Sequence, residues 1–125
     1  IPIVLIALLI ALGLWRAEKL QKKAADAGFE FADISGALLK LEEEVRELRQ
    51  AVEEGSNISE ELGDVLFAAV KVGRFAEADS EEALAGTCEK FIRRFRAVEE
   101  GAQTQGKEIG DLTLTEMTDL WNRAK

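Results

Sequence analysis

Histidine is absent from this 125-residue chain, and cysteine and proline occur once each. The missing histidine excludes Ser-His-Asp and Cys-His nucleophile systems. It also excludes His-containing zinc sites and the Glu-x-x-His ligands of di-iron bundles. Cys88 alone forms no internal disulfide, which suits a reducing, cytoplasmic setting. With Pro2 the only proline, nothing after it is barred from helix by that residue. Positive charge is in short supply: 16 Lys and Arg stand against 24 Asp and Glu, a net charge of −8. No nucleic-acid partner is therefore expected, since binding that backbone needs a basic footprint. A nucleotide remains admissible where a metal and a few local cations offset its phosphates.

Long hydrophobic runs are also scarce. The one present, residues 1–14, is shorter than the ~20 residues a spanning helix needs, and it lacks the basic n-region of a signal peptide. Stable membrane insertion is not expected. No initiator Met precedes the run, so the chain reads as a fragment or processed form. Residues 1–13 are assigned as an apolar leader buried against a partner or second copy, and residues 14–125 as the domain proper.

What the chain does have favours helix. The apolar fraction is 47% and the charged fraction 32%, a folded composition, and Ala, Leu, Glu, Lys and Arg dominate. The length suits one domain with one core. Helices are predicted over residues 2–27 with a break near Gly13, over 35–54, from just after Asn57, from just after Asp79 to about Glu100, and in a short last segment ending near Ala124. Gly28 and Gly55 suit helix stops. Asn57 with Glu60, Asp79 with Glu82, and Thr113 with Glu116 have capping-box spacing. Gly28-Phe29-Glu30-Phe31 reads as a compact loop with two aromatic anchors, and 101–112, with three glycines, as the most mobile segment. In the second helix, Leu38, Leu41, Val45, Leu48 and Val52 form one apolar stripe for a partner helix. The run 65–70 of the third is apolar nearly all round and is expected to be the most buried. The fold class is all-α: a helical bundle in which a helix 2–helix 3 hairpin packs with helices 1 and 4. Apolar surface on helix 1 points to a homodimer.

Two acidic runs carry the candidate chemistry. Glu43, Glu44 and Glu47 fall within an arc of ~100° on helix 2, directed away from the Leu/Val stripe. Glu61 and Asp64 are neighbours at i and i+3 on helix 3. Counted from a hairpin turn at Gly55, Glu47 and Asp64 both lie ~12–14 Å along their helices. They should face each other, with Glu61 close by and Glu43 and Glu44 a turn further on. Bare carboxylates so placed repel, or one of them keeps a proton. A hard cation with oxygen ligands, Mg²⁺ or Mn²⁺, resolves this. For either run alone, a solvated helix face with Glu-to-Arg pairing is the plainer reading; the second run at matching depth is what shifts the balance. On helix 4, Lys90 and Arg94 are spaced i and i+4, which suits a polyphosphate. Phe91 and Phe95 are expected to face the core.

With these residues in place, the chain resembles the MazG family of nucleoside triphosphate pyrophosphohydrolases. The resemblance rests on Arg16–Ala24, on Gly28-Phe-Glu-Phe31, on a Glu-Glu-x-x-Glu motif at Glu43, Glu44 and Glu47, and on a Glu-x-x-Asp motif at Glu61 and Asp64. Lys90–Phe95 and Leu120-Trp121 complete it. It extends over residues 12–125 and is closest to the C-terminal domain of two-domain members. It implies that an NTP is hydrolysed between the α and β phosphorus atoms to NMP and pyrophosphate. It further implies that Glu43, Glu44, Glu47, Glu61 and Asp64 bind Mg²⁺, which polarises the phosphates and acidifies an attacking water. One glutamate, Glu44 or Glu43 by preference, serves as base, and the split of Glu43, Glu44 and Glu47 between ligand and base is left open. Lys90 and Arg94 are the implied triphosphate contacts, with Arg93, Phe31 and Trp121 secondary. The chain departs from the family pattern at Asn57, where a Lys is common, at Phe31, where a Trp is common, and at Cys88, where an Asn is common. Broad tolerance of NTPs is the leading expectation. The alternatives are a narrow dUTP, dCTP or phosphoribosyl-ATP hydrolase on the same fold, and a non-catalytic helical interaction module.

Overall fold

The computed structural model describes the backbone of residues 3–125 and the side chains of residues 13–125. Five α-helices follow in order: α1 (Ile3–Asp26), α2 (Ile34–Glu54), α3 (Ile58–Phe75), α4 (Ser80–Thr104) and α5 (Leu114–Arg123), with one 3-10 turn at Ile109–Asp111. No strand occurs among the described residues, and the fold is all-α as expected. No described helix is long and apolar enough to cross a membrane. The role assigned to the apolar leader rests on the side chains of residues 1–12, which lie outside the described residues. The chain divides into two compact units, Ile1–Ala83 and Leu84–Lys125.

In the first unit α3 packs against both α2 and α1. α1 runs through Gly13 without a break. It ends at Gly28, whose φ of 94° is open to glycine, with Phe29 N–H donating to Ala24 O and Gly28 N–H to Ala25 O. This paired closure is the Schellman stop. The buried side chains of α2 are Ala37, Glu44 and Ala51, spaced seven apart and so on one stripe of the helix. The two alanines allow a close seam with α3, which buries Ala68 and Val70. α1 is tied in by Gln21, whose buried amide Nε2 donates to Phe67 O at 2.8 Å.

Several packing expectations are corrected. Leu38, Val45 and Val52 on α2 are not core residues; Val52 is 58% exposed. The seam uses the alanine–glutamate face, and Leu38, Val45 and Val52 of the bulkier aliphatic stripe are left exposed among the described residues. Leu62, Leu66 and Phe67 on α3 are also exposed, so α3 is not buried all round. Of the two aromatics after Gly28, Phe29 is 77% exposed and so is not the buried anchor expected. Asn57 takes a left-handed conformation and makes no side-chain cap, because the two-residue link after Gly55 must turn there.

In the second unit α4 does not stop near Glu100. It continues through Gly101 to Thr104, and the stretch expected to be mobile is structured by the 3-10 turn and by buried Leu112. Gly101 packs against Leu120: a Cβ there would lie 2.5 Å from Leu120 Cδ2 and 2.8 Å from Cδ1, so that side chain would have to shift. α5 begins with the complete capping box expected of Thr113 and Glu116. Phe91 and Phe95 stack with centroids 5.9 Å apart, and Phe91 meets Trp121 at 5.2 Å. Both phenylalanines remain substantially exposed, against the expectation that they face the core.

The two α4 glycines should respond oppositely to substitution. Gly101→Val collides with Leu120 and should lower stability by about 1–3 kcal/mol. At Gly86 an added Cβ meets nothing within 4 Å, so Gly86→Ala should gain up to about 1 kcal/mol from helix propensity. Urea unfolding of both variants checks the pair.

Candidate functional site

α2 and α3 bring three carboxylates together. One oxygen each from Glu44, Glu61 and Asp64 all lie within 4.8 Å of one another. Glu44 sits in the α2–α3 seam, 6% exposed. Its Oε2 and Glu61 Oε2 are sealed from solvent with no hydrogen-bond donor among the described residues. Oxygens around one octahedral Mg²⁺ at about 2.0–2.1 Å lie no more than about 4 Å apart. Small side-chain rotations would therefore suffice to close this group on one hard cation. The donor set is all oxygen, which fits Mg²⁺ or Mn²⁺ and not a thiolate- or imidazole-seeking ion.

The other two predicted acids flank this group. The charge of Glu44, then a shared contact with it, then Glu61, hold the exposed Glu47 carboxyl above its ordinary value of 4.5. The repulsion inferred from spacing is thus present at that residue. Glu43 is set apart and pairs with Lys40 at 3.3 Å. The expected order along the hairpin is revised: Glu44, not Glu47, is the α2 carboxylate that joins Glu61 and Asp64. The helical phase explains this, since the face that packs on α3 is the alanine stripe containing Glu44.

Two cations at the site were missed in the sequence. Lys40 Nζ lies 3.1 Å from Glu44 Oε1 and 3.3 Å from Glu43 Oε2. These contacts, Glu44 first, raise the Lys40 ammonium above its ordinary 10.5. Its signal was plain spacing, one turn before the acidic run. Lys71 follows Asp64 by seven residues and so shares its face of α3. A cleft of about 300 Å³ has Glu44 and Asp64 in its lining together with Phe29, Phe31, Phe67 and Lys71. Phe31 is fixed against the start of α2, where it approaches the Cβ direction of Gly36 at 3.2 Å. Asp33 caps the same helix by accepting from Gly36 N–H at 3.3 Å. The cleft thus combines carboxylates for a cation with aromatic faces and a lysine.

The remaining predicted contacts belong to the second unit. Lys90 and Arg93 are exposed on α4. The Arg94 guanidinium lies 5.7 Å from the Trp121 ring centroid, and its Nε is sealed from solvent without an acceptor among the described residues. Arg94 and Trp121 are thereby brought together as one cationic and aromatic pair.

Comparison with known proteins fits this arrangement. The family model for the MazG nucleotide pyrophosphohydrolase domain matches residues 33–99, which take in α2, α3 and most of α4. A nucleoside triphosphate pyrophosphohydrolase/pyrophosphatase MazG of Thermotoga maritima is 35% identical over 109 residues, covering 87% of this chain and 42% of that protein. A nucleoside triphosphate pyrophosphohydrolase of Escherichia coli K12 is 38% identical over 116 residues, covering 90% of this chain and 44% of that protein. The uncharacterized protein YabN of Bacillus subtilis is 49% identical over 69 residues, 55% of this chain and 14% of that protein. The chain thus spans less than half the length of these curated relatives. The matched stretch holds every member of the carboxylate group, in the order and spacing that the hairpin brings together, and the chain belongs to the MazG nucleotide pyrophosphohydrolase domain family.

Proposed function

We propose that this domain hydrolyses nucleoside triphosphates between the α and β phosphorus atoms, consuming one water and releasing NMP and pyrophosphate. The observation that carries this reading is the Glu44–Glu61–Asp64 group opening into a cleft with aromatic walls. Glu44, Glu61 and Asp64 hold the divalent cation, with Glu47 beside them. Bound Mg²⁺, or Mn²⁺ in its place, supplies Lewis-acid polarisation of the phosphates and a more acidic water. The proton of the attacking water falls to Glu43 or Glu47, which flank Glu44 outside the three-oxygen group. Lys40, which pairs with Glu44 and lines the same cleft, would be a further phosphate contact. Lys90 and Arg94 are proposed as further phosphate contacts on the strength of their spacing and of Arg94's unanswered Nε, and Arg93 as a lesser one. Phe31 offers a face for a base in the first unit, and Trp121, beside Arg94 in the second, is proposed as a further aromatic contact. Broad use of NTPs, in a cytoplasmic setting, is part of the proposal. So is a homodimer, in which the uncovered Leu38, Val45 and Val52 stripe and the exposed Leu62 and Leu66 are buried against a second copy.

Incubation with an NTP panel and Mg²⁺ should release pyrophosphate and NMP, never orthophosphate. Glu61→Gln or Asp64→Asn should cut the rate by roughly a hundredfold or more. Release of orthophosphate, or a rate unmoved by these changes, refutes the reading. Light scattering should return twice the chain mass.

The acid cluster also fixes a pH dependence. The Glu47 carboxyl binds its proton more tightly in the folded chain than in the unfolded one. Its contribution is therefore full below pH 4.5 and is lost as pH rises through the raised folded value. Glu116, held below its ordinary value first by the Thr113 backbone N–H, acts in the opposite sense and only below that pH. Above pH 4.5, melting temperature without metal should fall with rising pH. Mg²⁺ should raise it by several degrees and flatten the slope, and Glu47→Gln should flatten it without metal. A slope indifferent to both contradicts the cluster's repulsion.

A further inference from the structure

Lys71 and Glu30 form a second polar pair, in a hollow of about 180 Å³ lined by Gly28, Phe29, Glu30, Phe31 and Lys71. Phe29, Phe31 and Lys71 also line the cleft that holds Glu44 and Asp64, so the hollow and the cleft share a wall, and neither of those acids lines the hollow. Lys71 Nζ is 3.8 Å from Glu30 Oε1 and 5.2 Å from the Phe31 ring centroid. Its side chain is only 15% exposed, yet its three N–H groups donate to no acceptor among the described residues. Glu30 is pinned on its other side: Oε2 pairs with Arg74 Nη2, and Oε1 accepts from Phe31 N–H at 2.9 Å. A group that only donates is thus held beside a group that only accepts, on an aromatic floor.

A phosphate on Lys71 would have to displace the Glu30 carboxylate from its ion pair. A flat ring with an acceptor next to a donor does. We propose that Lys71 and Glu30 read the edge of the substrate's base and select a lactam edge, a carbonyl oxygen beside a ring N–H, as in guanine, hypoxanthine, uracil and thymine. This rests on the nucleotide reading above. Lys71 donates to the carbonyl oxygen and Glu30 accepts from the adjacent N–H. Adenine and cytosine carry the reverse pattern, an amine beside an unprotonated ring nitrogen. They would set the amine against the ammonium and a lone pair against the carboxylate. The pair thereby sets a preference within the broad NTP use proposed above, because mismatched polar groups on side chains this little exposed are poorly paired. Lys71 and Glu30 are specificity residues here; neither touches the reacting phosphorus.

The test is binding, kept apart from turnover by α,β-methylene triphosphates, in which the scissile bridge is replaced. Calorimetry with Mg²⁺ should show the GTP and UTP analogues bound roughly tenfold or more tighter than the ATP and CTP analogues. Lys71→Gln, whose amide both donates and accepts, should bring the two classes to within about twofold, and Lys71→Arg, a donor only, should retain the preference. Equal affinities, a preference that survives Lys71→Gln, or no binding of any analogue overturns the proposal. The pyrophosphate panel is decided separately: hydrolysis of all NTPs with no preference in binding sinks this inference and leaves the proposed reaction standing.

Discussion

Glu44 points into the packed seam between α2 and α3, and one of its oxygens has no donor among the described residues. A carboxylate taken out of water and left half-satisfied costs about 1–3 kcal/mol or more. Two further carboxylates, Glu61 and Asp64, stand within reach of it. The neighbouring Lys40 answers only part of this charge, through Glu44 Oε1 and Glu43 Oε2. A helical hairpin gains nothing in stability from such an arrangement. Its geometry fits the proposed cation site, with Lys40 beside it as a counter-charge.

The rest of the first unit follows from holding that cluster open to one side. Small residues at Ala37 and Ala51 bring α2 close to α3, while Gln21 fixes α1 to the carbonyl of Phe67 on the cleft-lining face of α3. The stop at Gly28 returns the chain so that Phe29, Glu30 and Phe31 meet Lys71 and Arg74. The carboxylates thereby line one cleft and the Glu30–Lys71 pair an adjoining hollow, with Phe29, Phe31 and Lys71 common to both. A nucleotide has that division of chemistry, with phosphates that need cations and a base that needs a face and an edge.

Much of this was legible in the sequence. Helix order, the stops at Gly28 and Gly55, the α5 capping box and the convergence of the acidic runs all follow from local periodicity and spacing, which depend on few residues. What was not legible depended on which face of a helix meets its neighbour. The Leu38, Val45 and Val52 stripe looked like core by its hydrophobicity. The seam was instead made by the smaller Ala37 and Ala51, which carried Glu44 inward and left the aliphatics outside. Gly101 read as a loop residue, yet it sits inside α4 because Leu120 occupies the space of its missing side chain. Lys71 drew no notice because a single lysine in an apolar helix has no motif; its meaning comes from Glu30, 41 residues earlier, and from the two-turn spacing to Asp64.

The central claim is that the α2–α3 hairpin is built around a divalent cation. Crystals grown with Mn²⁺ and measured for anomalous scattering test it most directly. The account predicts a peak bounded by Glu44, Glu61 and Asp64, with Lys40 withdrawn from Glu44. No peak there, with Lys40 still paired to Glu44 at millimolar Mn²⁺, would contradict it.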